Sequence, residues 1–413
     1  QRELHQSTPP IASRVLYGAG SGGGKVGIKE ATASELLSAR LQIFEAKQQA
    51  YHEHLIRDRN QGCFKDLALE TLPVTTFYVL VDYWAKIGIG KAGGTAVCEE
   101  DSVGLSAHGS MFVYRNPSRI ERDEIDAKYG RIDWKLFGPA SDEDDGLAYL
   151  EEHFNAFCDD AEQNNYHTKS VQEATIELFL EGRPWLCGSR EARIQSDNAS
   201  NYRDPTCEID LGCVGTRCFS EAGMGKDEGD ANGSVNKGHF KRKRDAGEGL
   251  ESSGDLLRIA HGLGMRGQTH AKLIVDRSNE DRGVAGRDSV CRNYSLWAID
   301  EKNITFWESL DVEASRTTMK SIGRAVGYGP GVVMTLAEFN KTQRTQMAGT
   351  GARLELADGA ATAEPNPKQR ASRGEKGAAR LEKEESQEAK NVVAKEKKAS
   401  AVAQAQAGFK GGG

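Results

Sequence analysis

Apolar residues along the chain change period several times, and each change predicts an element. From about residue 30 to 57, Ala31, Leu36, Leu37, Leu41, Phe44 and Leu55 recur near helical spacing among charged and polar residues. That pattern predicts a helix, expected to pack on the domain that follows. Residues 72–86 are dense in β-branched and aromatic side chains, the composition of a core strand. Residues 104–114 read as a second strand. Residues 115–146 are polar, with an acidic run at 142–145 expected to be a solvated loop. Helical spacing returns around 147–160 and 171–180. A short strand at 193–197 and an extended piece at 208–219 follow.

Residues 227–245 begin with acids and end in Lys241-Arg242-Lys243-Arg244, the charge order that a helix dipole favours. Residues 293–299 and 303–308 look like the arms of a hairpin, and Gly327-Tyr328-Gly329-Pro330-Gly331 like a tight turn. Beyond about 347 the chain becomes Ala/Glu/Lys/Gly-rich, a composition expected to be largely disordered, with transient helix near 378–398. Four segments result: a flexible N-terminal piece (1–28), a helical segment (29–72), an α/β core (73–335) and a low-complexity tail (336–413).

Composition narrows the classes. The chain has 413 residues, 54 Lys+Arg against 61 Asp+Glu and a formal net charge of -7, so it is not a uniformly basic nucleic-acid coat protein, although a local basic groove is compatible with it. The eight Cys form no Cys-x-x-Cys pair, which argues against a zinc ribbon or a dense disulfide framework. With no apolar run of spanning length and no signal peptide visible, a soluble intracellular protein without a membrane partner is expected. The first residue is Gln, which leaves the true start of the chain open. Gly18-Ala19-Gly20-Ser21-Gly22-Gly23-Gly24-Lys25-Val26 imitates a phosphate loop and fails as one. Ala19 stands at the first glycine position and Val26 where a Ser or Thr would hold the metal, so it reads as linker.

Candidate chemistry lies where two predicted strands end on acids. Phe77-Tyr78-Val79-Leu80-Val81 runs into Asp82, and Arg193-Ile194-Gln195-Ser196 runs into Asp197 and a polar turn. A carboxylate at a strand exit is rigidly held yet accessible, which suits a metal ligand; it is equally the place for a turn residue. A third acid could come from Glu221, Asp227, Glu228 or Asp230, with Asp230 at an apparent helix start, where capping is the rival role. Hard carboxylates, rather than Cys or His, imply Mg²⁺ or Mn²⁺. Lys237, Lys241, Arg242, Lys243 and Arg244 suit DNA phosphates, a nuclear import patch or an ordinary solvated helix end. His108 and His270 read as strand-face residues more readily than as ligands, and the five Trp as packing groups.

The order Val81-Asp82-Tyr83-Trp84-Ala85-Lys86, Gly104-Leu105-Ser106-Ala107-His108 and Ser196-Asp197-Asn198-Ala199 resembles eukaryotic transposon-derived proteins with a DDE-type, ribonuclease-H-like transposase core. The block from Ser220 to Ala231 resembles theirs as well. Where those proteins have a Cys-Asp pair opening a helix, this chain has Gly229-Asp230, which departs at the Cys and keeps the acid. The likeness spans roughly residues 50–335. It implies a ribonuclease-H-like mixed sheet flanked by helices, with Asp82, Asp197 and Asp230 as catalytic and metal-holding triad, DNA as substrate, a nuclear setting and self-association. It implies equally well a decayed or domesticated copy that only binds DNA or a protein.

Overall fold

The computed structural model describes residues 14–16, 28–30, 33–84, 86–88, 104–143, 148–186, 192–197, 199, 202, 214–220, 228–265, 267–280, 294–299, 303–308, 332–338, 350–358 and 360–368. It divides into two compact units, residues 1–59 and 60–413. In the first, β1 (Arg14–Leu16) pairs antiparallel with β2 (Ile28–Glu30). The long helix α1 (Ala33–Glu70) begins there and ends in the second unit. It is rich in Leu, Ala, Glu, Lys, Arg and Gln and lacks proline, and Pro73 prevents its continuation.

The second unit is a mixed α/β structure around one large sheet. In chain order its elements are β3 (Phe77–Tyr83), β4 (Ile87–Gly88), β5 (Gly104–Arg115), α2 (Arg119–Tyr129), β6 (Tyr149–Cys158), α3 (Asn165–Leu180), β7 (Ala192–Ser196) and β8 (Val214–Phe219). Then come α4 (Glu228–Asp245), α5 (Ser253–His261), β9 (Gln268–Ile274), β10 (Tyr294–Ile299), β11 (Asn303–Glu308), β12 (Val332–Thr335), β13 (Arg353–Leu356) and β14 (Asn366–Lys368). The strands lie in the order β12-β11-β10-β8-β7-β3-β5-β6-β9-β13, with β14 on β6 and β4 on β5. The pairs β3/β7, β7/β8 and β6/β9 are parallel; β3/β5, β5/β6 and β8/β10 are antiparallel.

Helices cover both faces of this sheet. On one, Phe77, Val79, Phe112 and Phe154 pack against Ile176 and Phe179 of α3 and against Trp185, with Phe112 and Phe179 stacked at 3.9 Å. On the other, Trp84, Leu105, Ala107 and Phe157 meet Phe240 of α4 and Leu256, Ile259 and Ala260 of α5. The end of α1 covers the rest of that second face through Ala68 and Leu72, set against Tyr78, Leu80, Met111 and Val113. Its terminal carbonyls are satisfied from the sheet: Arg193 Nη1 donates to Ala68 O at 2.7 Å and Tyr149 Oη to Leu69 O at 3.0 Å. Leu37, Leu41 and Phe44, on which the expected packing rested, are exposed instead, and the contact with the sheet is made by Ala68 and Leu72 further along.

Two expectations need correction. Residues 147–160 carry helical spacing, yet 149–158 form β6, a strand covered on both faces. Such a strand need not alternate polar and apolar residues. Glu152, which looks like a solvent-facing helix residue, is buried in an ion pair with Arg183 (Oε2 to Nη2 2.5 Å) and accepts from Tyr114 Oη. Asp142 and Glu143 lie in an exposed turn, in line with the expectation for the acidic run, while the polar residues 115–146 around them are partly regular. They contain α2, opened by Ser118 and Glu121 as a reciprocal capping box, and a 3₁₀ turn at Trp134–Phe137. The sheet also continues past 335, because β13 and β14 add strands from the segment assigned to the tail. The turn at 327–331 and the segment at 378–398 lie outside the described residues.

Candidate active site

Strands β3 and β7 run parallel with Val81 beside Ser196, so Asp82 and Asp197 emerge level with each other at adjacent strand ends. Strand alternation places both carboxylates on the face shared by Tyr78 and Gln195, whose side chains are joined by a hydrogen bond from Tyr78 Oη. Both aspartates are half-buried.

Helix α4 runs over that face. Its inward stripe is unusual in sequence: Asn232, Gly233, Asn236 and Phe240. Asn232 Nδ2 donates to Asn155 Oδ1 at 2.8 Å and Asn236 Nδ2 to Gln268 Oε1 at 3.3 Å, while Phe240 meets Phe157 edge to face. Trp84, two residues beyond Asp82, is clamped between two glycines. A Cβ on Gly233 of α4 would stand 2.8 Å from the indole, and one on Gly109 of β5 2.9 Å. These contacts fix the first turns of α4 against the end of β3. Asp230 is in the first turn, as expected of a helix-opening acid, although its side chain lies outside the described residues. Glu228 opens the same helix, and Glu221 and Asp227 are outside the description altogether.

On the opposite face, beneath the carboxylates, sits a polar layer that sequence reasoning did not find. Tyr83 Oη lies 2.6 Å from His167 Nδ1, and its ring meets His108 edge-on at 4.8 Å. Tyr202 packs against Tyr83, and the fully buried Arg217 lies over the Tyr202 ring and donates from Nη2 to Ser196 Oγ at 2.9 Å. Burial, helped by neighbouring His167 and Arg217, pushes the His108 pKa down to about 3. Burial likewise lowers His167 to about 4, against the opposing pull of Asp160. Both imidazoles are neutral near pH 7. The Tyr202 hydroxyl is held well above its ordinary range, first by burial and then by the nearby Asp82, Tyr83 and Asp197, with Arg217 opposing. One phenol thus senses both carboxylates, and it stays protonated. Tyr83 closes β3 and His108 lies within β5, but their meeting with His167, Tyr202 and Arg217 depends on elements far apart in sequence.

The remaining candidates fall into place individually. Asp197 Oδ1 accepts from Ala199 N at 3.2 Å, so this carboxylate also performs the turn role weighed for it. His270 is buried beside Asn155 at 3.3 Å, its pKa lowered to about 4 by burial and the nearby His261. Of the basic run on α4, Lys241 and Arg242 are exposed and Lys237 is half-buried. Lys243 pairs with Glu248 at 2.8 Å, and the Arg244 side chain is buried. Trp84 and Trp185 are core residues, as packing predicts.

The two level carboxylates offer hard oxygen donors of the kind Mg²⁺ and Mn²⁺ take. Among the described residues no group of three or more His, Cys, Asp and Glu is close enough together to hold a metal. No helix among the described residues is long and apolar enough to cross a membrane. No family model, no curated protein and no solved structure matches the chain.

Proposed function

We propose that the chain is a transposase-like polynucleotidyl transferase or nuclease with a ribonuclease-H-like core, which cuts and joins DNA in the nucleus. The observation that carries this reading is the level exit of Asp82 and Asp197 from adjacent parallel strands, under a helix whose first turn contains Asp230. The order β8-β7-β3-β5-β6, antiparallel from β3 to β6 and parallel from β3 to β8, supports it, since such a core places its acids in this way.

In this reading Asp82, Asp197 and Asp230 hold Mg²⁺ or Mn²⁺, and the neutral layer of Tyr202, His108 and His167 gives the first two a rigid floor. Such ions would supply activation of water or a 3′-hydroxyl and charge neutralisation at the phosphodiester. The exposed Lys241 and Arg242 are the members of the basic run best disposed to meet DNA phosphates or an import receptor.

A second reading is a decayed or domesticated transposase that only binds DNA or a protein. The bond from Ala199 N to Asp197 Oδ1 favours it, because that carboxylate has a structural task without any metal. Mn²⁺ titration by calorimetry on the full chain separates the two. Saturable binding that is lost in Asp82→Asn/Asp197→Asn, with metal-dependent strand cleavage lost in parallel, is expected of the first. A folded wild type that binds no Mn²⁺ would leave only the second.

A further inference from the structure

We propose that the first part of α1 forms a parallel two-stranded coiled coil with a second copy of the chain. This inference rests on the helix surface and is independent of the chemistry proposed above. Leu37, Leu41, Phe44 and Tyr51 are 60%, 52%, 64% and 59% exposed although they are among the largest apolar side chains of the helix. They are spaced by four, three and seven residues, so all fall on one narrow stripe, the d and a positions of consecutive heptads with Gln48 at the intervening a. Leu55 continues the spacing in sequence, and Asp58 and Gly62 at the next d and a positions end it. A single polar a position is the device that pins register in parallel pairs. Ile43, 56% exposed, lies off the stripe and takes no part.

The flanking charges choose the occupant and its direction. With Leu37 at d, Arg40 occupies a g position and Glu45 the following e position, both exposed. In a parallel, in-register dimer a g residue faces the e residue five positions later on the partner. Two copies therefore place Arg40 opposite the partner's Glu45 twice, by symmetry. The next such position holds Lys47 opposite His52, which introduces no pair of acids. A stripe of only about three heptads with one polar core position makes a weak dimer, so the association is concentration-dependent.

Sedimentation equilibrium of the full chain tests the proposal. The wild type is expected to dimerise reversibly, and Leu41→Glu/Phe44→Glu to remain monomeric with unchanged far-UV circular dichroism. Arg40→Glu should weaken the dimer about tenfold by setting acids against acids at two symmetric positions. Adding Glu45→Arg to that variant should restore wild-type association, because the same pair is rebuilt with its charges exchanged. A monomeric wild type overturns the proposal, as does a dimer indifferent to Leu41→Glu/Phe44→Glu. Failure of the exchanged pair to recover association would overturn the parallel register.

Discussion

Two glycines of α4 make opposite predictions for the same substitution. In an open helical site, Gly→Ala stabilises by about 1 kcal/mol, because alanine loses less backbone entropy. Gly238 is such a site, for the nearest atom to an added Cβ is Arg242 Nη1 at 3.6 Å, the far end of a flexible side chain. At Gly233 the added carbon would sit 2.8 Å from both Cδ1 and Nε1 of Trp84, and 3.2 Å from Cε2. Gly109 of β5 also approaches the ring closely, with an added Cβ 2.9 Å from Nε1, so the indole is tightly confined. Overpacking of this kind costs about 1–3 kcal/mol. Gly233→Ala should therefore fall about 1–3 kcal/mol below Gly238→Ala, and between neutral and about 2 kcal/mol below wild type. Urea unfolding of the three proteins, compared by midpoint at constant m value, reads this directly. Because Gly233 stands one turn from Asp230, a helix pushed off Trp84 should also weaken Mn²⁺ binding in Gly233→Ala and leave Gly238→Ala unaffected. Equal stabilities for the two variants would refute the close approach of α4 to the end of β3, on which the proposed part of Asp230 depends.

Other consequences are open to measurement. Glu152→Ala leaves the Arg183 guanidinium buried without its carboxylate and should cost about 3–5 kcal/mol, read as a fall in urea midpoint; a loss under 1 kcal/mol would show that water reaches the pair. His108 and His167 have folded pKa values near 3 and 4, below the ordinary 6.5, so the unfolded chain takes up protons first as pH falls. Their contribution is complete above about pH 6.5 and is lost progressively toward pH 4, before the carboxylates dominate. His108→Asn/His167→Gln should flatten the stability–pH curve in that window, and an unchanged slope would mean that the two imidazoles are not buried neutral. Ser118→Ala removes the cap that accepts from Glu121 N and should destabilise by about 1 kcal/mol by the same urea assay, with a neutral result arguing against the capping box.

Local patterns along the chain were enough to define several elements and part of the site. Asp82 and Asp197 could be singled out because each lies near the end of a short extended segment, and β3, β5, β7, α3, α4 and the β10–β11 pair follow patterns that a short window contains. What a window does not contain is the identity of the neighbours. β6 carries Leu150, Phe154 and Phe157 at helical spacing, and it becomes a strand because β5 and β9 pair with it on either edge and Arg183 neutralises Glu152 from 31 residues away. The end of the sheet was misplaced for the same reason: Arg353–Leu356 is too polar to announce a strand, yet β9 supplies the partner. The level alignment of the two aspartates is a matter of register between strands more than a hundred residues apart, which no local preference encodes. The buried layer of Tyr83, His108, His167, Tyr202 and Arg217 draws on β3, β5, α3, the residues after β7 and β8. Each of these residues alone resembles an ordinary surface group. Their burial is tolerable only in company, through hydrogen bonds such as Tyr83 to His167 and Arg217 to Ser196, and that company exists only once the chain has folded.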